Sequence, residues 1–220
     1  MRHVIIIVVS LLFVNIAAAK PVIEELEKFE RDRWSEGLHL LVGGGANFGV
    51  YVSDAIHQDI GMGPVLKTEV GYFFNDRLAV EWSALIKFNF VDSWQVWDTL
   101  FSLGVRYRFE DFGGLHGPFM RAFVGSVVNV LYFRGDPPPG YADFSRVQFE
   151  GPMVGVGFGS MEETEKGTVW YWEITATGEA LERSTGINMS ADVPVTDGQS
   201  SVDDHSQLYS VYFTMGIVAF

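Results

Sequence analysis

Cysteine is absent from this sequence of 220 residues, and basic residues are scarce. Without cysteine the chain cannot form a disulfide bond, a thiolate zinc site or a cysteine nucleophile. Its 15 lysines and arginines stand against 28 aspartates and glutamates, which gives a net charge of -13 at pH 7. Nucleic acids bind to basic surfaces, so we do not expect one as a partner.

Long apolar segments are lacking except at the N-terminus. There, Arg2 precedes an apolar stretch at 4–14, and the alanines at 17–19 are the small residues that signal peptidase requires. The apolar run of about 16 residues is shorter than the roughly 20 that a spanning helix needs. We therefore predict a cleaved signal peptide over residues 1–19, rather than a membrane anchor, and export into the periplasm.

The remaining sequence is rich in alternating patterns. Residues 78–90, LAVEWSALIKFNF, place Val80 and Trp82 on one face and Glu81 and Lys87 on the other. A period of two over this length predicts a β-strand, and it exceeds the about 9 to 11 tilted residues that cross a bilayer. Clear alternation also occurs at 66–74, 101–109 and 169–180, and weaker alternation at 38–52, 118–133, 147–159 and 207–220.

The connections between these eight segments differ in length. FFND, EDFGGLHG and MEETEKG are compact, whereas residues 53–61, 134–146 and 183–206 are longer, and DSWQVWD at 92–98 is a short exception. Short turns at one end and long loops at the other are typical of outer-membrane barrels. We therefore predict one domain over residues 37–220, an eight-stranded antiparallel transmembrane β-barrel whose last strand, QLYSVYFTMGIVAF, pairs with the first.

The charges indicate which face points inward. A soluble lipocalin-like barrel or a sandwich would bury the apolar face, but here the polar face carries both signs of charge. The interior of an eight-stranded barrel is just wide enough for side chains, and a charge facing lipid costs roughly 2 to 4 kcal/mol near the midplane. We predict an interior network of paired charges: Lys67, Glu69, Glu81, Lys87, Arg106, Arg108, Arg121, Glu173 and Glu179.

Aromatic residues gather near the ends of the predicted strands. Such residues form girdles at the two membrane interfaces of barrels. We predict one girdle at the short turns, from Tyr72, Phe74, Phe109 and Phe112, and another near a loop, from Phe88, Phe90, Trp94 and Trp97.

The signal peptide, the eight strands, the unit GYFFNDRLAVEW at 71–82 and Phe220 resemble small Gram-negative outer-membrane barrels of the OmpA transmembrane-domain, OmpX and OmpW type. The resemblance implies an outer-membrane location, with lipid and lipopolysaccharide as partners. It also implies that Phe220 is read by the barrel assembly machinery, and we expect this residue to anchor its strand at the membrane interface. The third residue from the end is Val218, whereas the family frequently has an aromatic residue at this position. We expect a monomer.

Residues 20–36 form the predicted periplasmic leader. Ile23, Leu26 and Phe29 recur at helical spacing, which predicts a short amphipathic helix. The helix could lie on the membrane or plug the barrel, and a polar leader with little helix is an equal alternative.

A lipid-modifying enzyme would need a hydroxyl near a histidine base. The mature chain has His39, His57, His116 and His205, and only His205 has a hydroxyl neighbour, Ser206, in a predicted outer position. Neighbouring residues on a strand point to opposite faces, which argues against a dyad.

Two predicted loops carry weaker motifs. Arg134-Gly135-Asp136 resembles the integrin-recognition tripeptide, although the following prolines alone could explain a stiff loop. The last loop contains Asp192, Asp197, Asp203 and Asp204, whose spacing matches no defined calcium loop, so we predict a solvated acidic loop.

These patterns favour a structural, surface-interaction or envelope-integrity role without catalysis, cofactor or metal. A narrow channel for small or apolar solutes is the alternative, and an enzyme that modifies lipid A or phospholipid is the second alternative. The sequence identifies no ligand.

Overall fold

A computed structural model describes residues 37–52, 59–91, 94–111, 113–133, 144–164, 167–188, 194–195 and 205–220. The predicted signal peptide and leader lie outside these residues. The described strands are β1 (Gly37–Val52), β2 (Asp59–Phe73), β3 (Leu78–Val91), β4 (Trp94–Arg108), β5 (Pro118–Phe133), β6 (Phe144–Glu163), β7 (Val169–Asn188), β8 (Pro194–Val195) and β9 (His205–Ala219). None of the described residues forms a helix with the length and apolarity that a membrane crossing requires.

Eight of the strands close into an antiparallel barrel. Each strand from β1 to β7 pairs with the next, β7 pairs with β9, and β9 pairs with β1 from Leu40 opposite Ala219 to Val52 opposite Gln207. The two-residue strand β8 pairs with β7. The eight-stranded antiparallel fold is confirmed, and the last strand closes the barrel by pairing with the first as predicted.

The stagger of the strands can be read from the pairing. Starting at Gly44, we move from each residue to its paired residue on the next strand. In one direction, through β2, β3, β4 and β5, this leads to Glu150 on β6, and in the other direction, through β9 and β7, it leads to Ser160 on the same strand. The two end points differ by ten residues (160 − 150) on β6. With about 3.3 Å per residue and about 4.8 Å between strands, this stagger corresponds to a tilt of about 40°. A barrel of this size holds side chains rather than a wide channel.

Side-chain exposure alternates along the strands as predicted. On β4, Leu103, Val105 and Tyr107 are exposed, whereas Ser102 and Arg106 are buried. So continuous an apolar outer surface is unfavourable in water and is typical of a barrel surrounded by lipid. Exposed large apolar side chains occur on all eight barrel strands.

Aromatic rings lie at both ends of the outer face. At the end with the short turns, which we call the turn end, Tyr72 contacts Phe74 and Tyr107 contacts Phe109, with ring centroids 5.4 and 5.1 Å apart. At the opposite, loop end, Trp97 lies 5.2 Å from Phe88. These contacts lie where the two girdles were predicted; Phe112 and the side chain of Trp94 lie outside the described residues.

Several predicted strand ends are wrong. β2 begins at Asp59 rather than near 66, because Gly61, Gly63 and Pro64 carry a loop-like composition inside a strand. β4 begins at Trp94, so most of the predicted connection 92–98 is strand. β7 continues to Asn188, eight residues beyond the predicted end at 180.

Two Gly-Pro dipeptides interrupt the hydrogen-bonded ladders. The pairing of β2 with β3 omits Gly63 and Pro64, and the pairing of β6 with β7 omits Gly151 and Pro152. Proline has no backbone N–H to donate, which explains an interruption at these positions. The side chain of Asn47 covers the first interruption from inside, since its Nδ2 donates to the carbonyl oxygens of Gly63, Pro64 and Phe88 at 2.9, 3.2 and 3.2 Å.

Candidate functional site

The barrel interior contains a group of buried charges near the turn end, which we call the lower ion cluster. It consists of Lys67, Arg106 and Arg121 with Glu69, Glu81 and Glu173, and none of the six side chains is more than 2% exposed. Three cations and three carboxylates balance one another. The strand parity explains the arrangement, because each of these residues occupies an inward position on β2, β3, β4, β5 or β7.

Each carboxylate of the lower ion cluster contacts more than one cation. Lys67 Nζ lies 2.6 Å from Glu173 Oε2 and 3.1 Å from Glu69 Oε2. Arg106 donates to Glu69 Oε1 at 2.5 Å. The Nε atoms of Arg106 and Arg121 lie 2.8 and 3.1 Å from the two oxygens of Glu81, as ion pairs without hydrogen-bond alignment. The network is therefore shared among strands rather than divided into separate pairs.

Aromatic rings cover the arginines of this cluster. The guanidinium carbon of Arg106 lies 4.2 Å from the centroid of the Phe119 ring, and that of Arg121 lies 4.5 Å from the Phe123 ring. Such cation–π contacts strengthen when water is excluded. Both arginines are thus held by carboxylates at their edges and by a ring at one face.

His39, Glu69 and Glu81 could in principle hold a metal, because one ligand atom from each lies within 4.8 Å of the others. His39 Nε2 is 3.2 Å from Glu81 Oε1. However, both carboxylates already contact Arg106 and Arg121. A divalent ion would meet two guanidinium groups at close range, so the arrangement suits an ion-pair network better than a metal centre.

A second group of buried charges, the upper ion cluster, lies nearer the loop end. Lys87 Nζ is 2.5 Å from Glu179 Oε1 and 3.6 Å from Asp98 Oδ2. Asn89 Nδ2 donates to Asp98 Oδ2 at 3.2 Å, and Asn129 Nδ2 donates to Asp98 Oδ1. Here one cationic side chain, Lys87, faces two acidic side chains, Asp98 and Glu179.

Apolar side chains fill the interior around the ion clusters. The upper apolar cluster includes Leu85, Phe123 and Phe149 in the middle and loop-end half. The lower apolar cluster closes the turn end, and its buried members are Leu41, Phe119, Met161, Val169, Tyr171 and Val218. Charged and apolar layers thus alternate along the axis of the barrel, and the described interior side chains pack against one another.

Phe220 does not lie where the sequence suggested. Its ring packs on the lower apolar cluster and lies 6.5 Å from His39 and 6.4 Å from Phe73, measured between ring centroids. His39 and Phe73 are both buried. The prediction that Phe220 anchors the strand at the membrane interface is therefore wrong, because its strand parity matches that of the inward-facing Val218.

The structure places eight of the nine predicted network residues within the two clusters. Arg108 is the exception, since it lies at the end of β4 and is partly exposed. Asp98 was missed because 92–98 had the composition of a loop. Extending the alternation of β4 backwards from Arg106 would have placed Asp98 on the inner face.

The other sequence candidates that fall within the described residues are not brought together. His116 is exposed in the turn between β4 and β5, where its Nδ1 lies 2.9 Å from Asp111 Oδ2. No described hydrogen bond joins the ring of His39 or His116 to a hydroxyl group among the described residues. His57, the Arg134–Asp136 tripeptide, the four aspartates at 192, 197, 203 and 204, and the side chain of His205 lie outside the described residues.

Comparison with known proteins identifies the fold. No protein-family model and no curated protein match the sequence. The structure is similar to that of Ail, the attachment invasion locus protein of Yersinia pestis, with a TM-score of 0.51 and 12% identity over 82% of this chain and 98% of Ail. It is also similar to the outer membrane protein AlkL, with a TM-score of 0.50 and 13% identity over 86% of this chain and 90% of AlkL.

The chain therefore has the fold of the small eight-stranded outer-membrane β-barrels. Structural similarity at sequence identities of 12 and 13% shows the fold, and it does not indicate a particular activity.

Proposed function

We propose that the protein is a non-catalytic outer-membrane protein of a Gram-negative bacterium, with a structural, surface-interaction or envelope-integrity role. In this proposal its barrel does not conduct, and it contacts outer-membrane lipid and lipopolysaccharide as a monomer. The observation that carries the proposal is the packed interior. Two ion clusters and two apolar clusters occupy the described lumen, while a separate set of large apolar side chains covers the outer face.

The packing disfavours a narrow channel. The side chains of Lys67, Glu69, Glu81, Arg106 and Glu173 have no accessible surface. A conducting path would have to separate these ion pairs, and breaking a buried pair costs about 3 to 5 kcal/mol. A solute would therefore face a barrier at the lower ion cluster.

Single-channel recording in planar bilayers tests this proposal. The full chain is refolded into lipid, and insertion is verified by the altered electrophoretic mobility of the unheated, folded barrel. We expect no conductance steps. A matched variant, Arg106→Ala with Phe119→Ala, shortens two side chains that contact each other in the lumen. Steps for the unaltered chain would establish a channel and refute the sealed-lumen proposal.

An assembly role for Phe220 is part of the same proposal. Phe220→Leu keeps an apolar side chain on the lower apolar cluster but removes the aromatic ring. We expect less folded protein in the outer membrane of cells and normal refolding into synthetic lipid, which requires no assembly machinery. Equal loss in both assays would assign Phe220 to packing alone.

A further inference from the structure

The buried acidic and basic side chains of the upper ion cluster are unequal in number. Lys87 is the only basic side chain that contacts Asp98 or Glu179 among the described residues, and none of the three side chains has any accessible surface. If both acids were ionised, one negative charge would have no partner in a site that excludes water. Burial penalises the charged form of a carboxyl group, so an acid in this position becomes neutral by binding a proton.

The contacts of Lys87 show which of the two acids binds the proton. Its Nζ donates to Glu179 Oε1 at 2.5 Å and to Ser210 Oγ at 3.0 Å, whereas Asp98 Oδ2 lies 3.6 Å away, beyond the length of a hydrogen bond. Glu179 Oε1 also accepts a hydrogen bond from Thr177 Oγ1 at 3.3 Å. Glu179 is therefore held as a carboxylate, and Asp98 is the acid without a described cation at hydrogen-bond distance.

Neutral amides surround Asp98 instead. Asn89 Nδ2 donates to Asp98 Oδ2 at 3.2 Å, and the side-chain amide of Asn129 contacts Asp98 Oδ1. Oδ1 of Asn129 is buried and accepts no hydrogen bond from the described residues. A half-turn of this amide exchanges its nitrogen for its oxygen. A protonated Asp98 can then donate to Asn129 while it accepts from Asn89.

The other elements around this site add no second cation among the residues that the structure describes. Tyr51 on β1 has its hydroxyl oxygen 3.4 Å from Asn89 Nδ2 and 3.5 Å from Asn129 Nδ2. β9 contributes the hydroxyl group of Ser210. β2, β5 and β6 contribute apolar side chains to the upper apolar cluster: Val65, Val127 and Phe149. The charge of the cluster at neutral pH therefore depends on its one amine and its two carboxyl groups.

We propose that Asp98 retains a proton at neutral pH in the folded barrel, and that this proton makes the loop-end half of the lumen sensitive to pH. Loss of the proton places two carboxylates against one ammonium group in a space without water. The members of the cluster and their contacts belong to β1, β3, β4, β5, β7 and β9, so the repulsion acts on six of the eight barrel strands. The barrel should therefore loosen at its loop end as pH rises.

Infrared spectroscopy of the full chain, folded in a detergent without carbonyl groups, detects the proton directly. The C=O stretching band of a protonated carboxyl group is separate from the bands of a carboxylate. We expect this band at neutral pH. It should move when aspartate, but not glutamate, carries a heavy carbon isotope in its side-chain carboxyl group, and Asp98→Asn should remove it.

Urea unfolding in lipid at a series of pH values measures the consequence for stability. An unfolded aspartate loses its proton near about pH 4, so unfolding releases one more proton from the unaltered chain than from Asp98→Asn. The unfolding equilibrium constant of the unaltered chain, divided by that of Asp98→Asn, should therefore rise about tenfold per pH unit between about pH 5 and about pH 7. The stability that depends on this proton is complete below about pH 4 and is lost as pH rises.

Two further variants separate the proton from a general effect of charge. Glu179→Gln leaves Lys87 with Asp98 as the only acid of the cluster, so Asp98 should become a carboxylate and the infrared band should disappear although Asp98 is still present. This variant keeps the test decisive if Asp98→Asn does not fold. Glu150→Gln removes an exposed carboxylate elsewhere on the barrel and should keep both the band and the pH dependence.

Three results would overturn the proposal. Absence of the band from the unaltered chain at neutral pH would show that both acids are ionised. A band that moves with labelled glutamate instead of labelled aspartate would place the proton on Glu179. A ratio of unfolding constants that does not change with pH would show that the fold retains no proton at Asp98. None of these results concerns conductance, so they leave the sealed-lumen proposal to its own test.

Discussion

The side chain of Asn47 supplies hydrogen bonds where the backbone pairing of β2 with β3 is interrupted. It is 4% exposed, and its Nδ2 donates to three carbonyl oxygens on β2 and β3. Asn47→Leu keeps the volume but removes the donor and leaves these oxygens unpaired. A buried unsatisfied polar group costs about 1 to 3 kcal/mol, and we expect a loss of this size in the free energy of unfolding by urea.

The control for Asn47 is a hydrogen bond on the outer surface. Gln207 Oε1 accepts from the hydroxyl of Tyr209 at 2.9 Å, and both residues are exposed. Gln207→Leu should change the unfolding curve little. Equal effects of the two variants would contradict the role of Asn47 as a substitute for ladder bonds.

Asp111 and His116 form an exposed pair in the turn between β4 and β5. The backbone N–H of Gly117 and the His116 ring, both bonded to the Asp111 carboxylate, lower its pKa, and the carboxylate raises the pKa of His116. The pair is therefore fully charged between about pH 4 and about pH 6.5, the ordinary pKa values of these residues. Its contribution is lost as pH rises through the pKa of His116, or falls through that of Asp111.

Titration of the His116 ring by NMR in micelles tests this pair. Asp111→Asn keeps the oxygen that accepts from Gly117 but removes the charge, so the pKa of His116 should decrease. Glu110→Gln is the control, because Glu110 contacts Arg77 at 2.8 Å instead. A pKa of His116 that is unchanged in Asp111→Asn would refute the assignment.

At the scale of a strand, Gly43 permits the close approach of β1 and β9. A methyl group there would lie 2.0 Å from the Tyr171 hydroxyl oxygen and 2.6 Å from the backbone oxygen of Met215. Gly43→Ala should destabilise the barrel by about 1 to 3 kcal/mol, the usual cost of overpacking. Urea unfolding measures the loss, and Tyr171→Phe in the same chain should restore part of it.

Gly178→Ala is the matched control for Gly43. Its methyl group would meet only the Tyr209 ring among the described residues, at 3.7 Å, which is an ordinary contact. We expect little change in stability. If Gly43→Ala were equally mild, the Tyr171 hydroxyl would not be packed over Gly43.

Alternation predicted the strands wherever polar and apolar residues kept strict order. It predicted β3 almost to the residue, because Glu81 and Lys87 alternate with large apolar side chains. It failed in β2, where glycine and Pro64 have the composition of a loop although they lie in a strand. It also failed at Asp98, a charged residue in a stretch that we predicted to be a turn, whose side chain lies in the lumen. Partners could not be predicted, since the pairing of Lys67 with Glu173 depends on contacts across the barrel.

At the scale of the whole molecule, we expect the charged residues of the lower ion cluster to contribute more to the free energy of unfolding than the other charged residues do. Arg106→Ala leaves Glu69 and Glu81 buried with fewer cations, and we expect a loss of about 3 to 5 kcal/mol. Glu81→Ala should act similarly. The unfolding midpoint in urea measures both.

Arg77→Ala is the surface control for Arg106. Arg77 also contacts a carboxylate, Glu110, at 2.8 Å, but its side chain is 45% exposed. Exposed pairs contribute little, so the midpoint should scarcely move. Unchanged midpoints for Arg106→Ala and Glu81→Ala would indicate solvated charges and would revive an open lumen.

The absence of cysteine allows the orientation of the barrel to be measured without background labelling. We expect Ser93→Cys, between β3 and β4, to react with an impermeant maleimide on intact cells. Asn75→Cys, in the turn between β2 and β3, should react only after the outer membrane is opened. Labelling of Asn75→Cys on intact cells would invert the predicted topology.

The two Gly-Pro interruptions lie between β2 and β3 and between β6 and β7, with strand pairing on either side of each, and they mark off two units of four strands. One unit contains β3 to β6, and the other contains β7, β9, β1 and β2. Arg106 and Arg121 lie in the first unit, whereas Glu69 on β2 and Glu173 on β7 lie in the second, so the lower ion cluster joins the two units at both boundaries. Amide hydrogens beside Gly63 and Gly151 should therefore exchange with solvent deuterium earliest, and the two units should behave as separate foldons once the cluster loses its arginines.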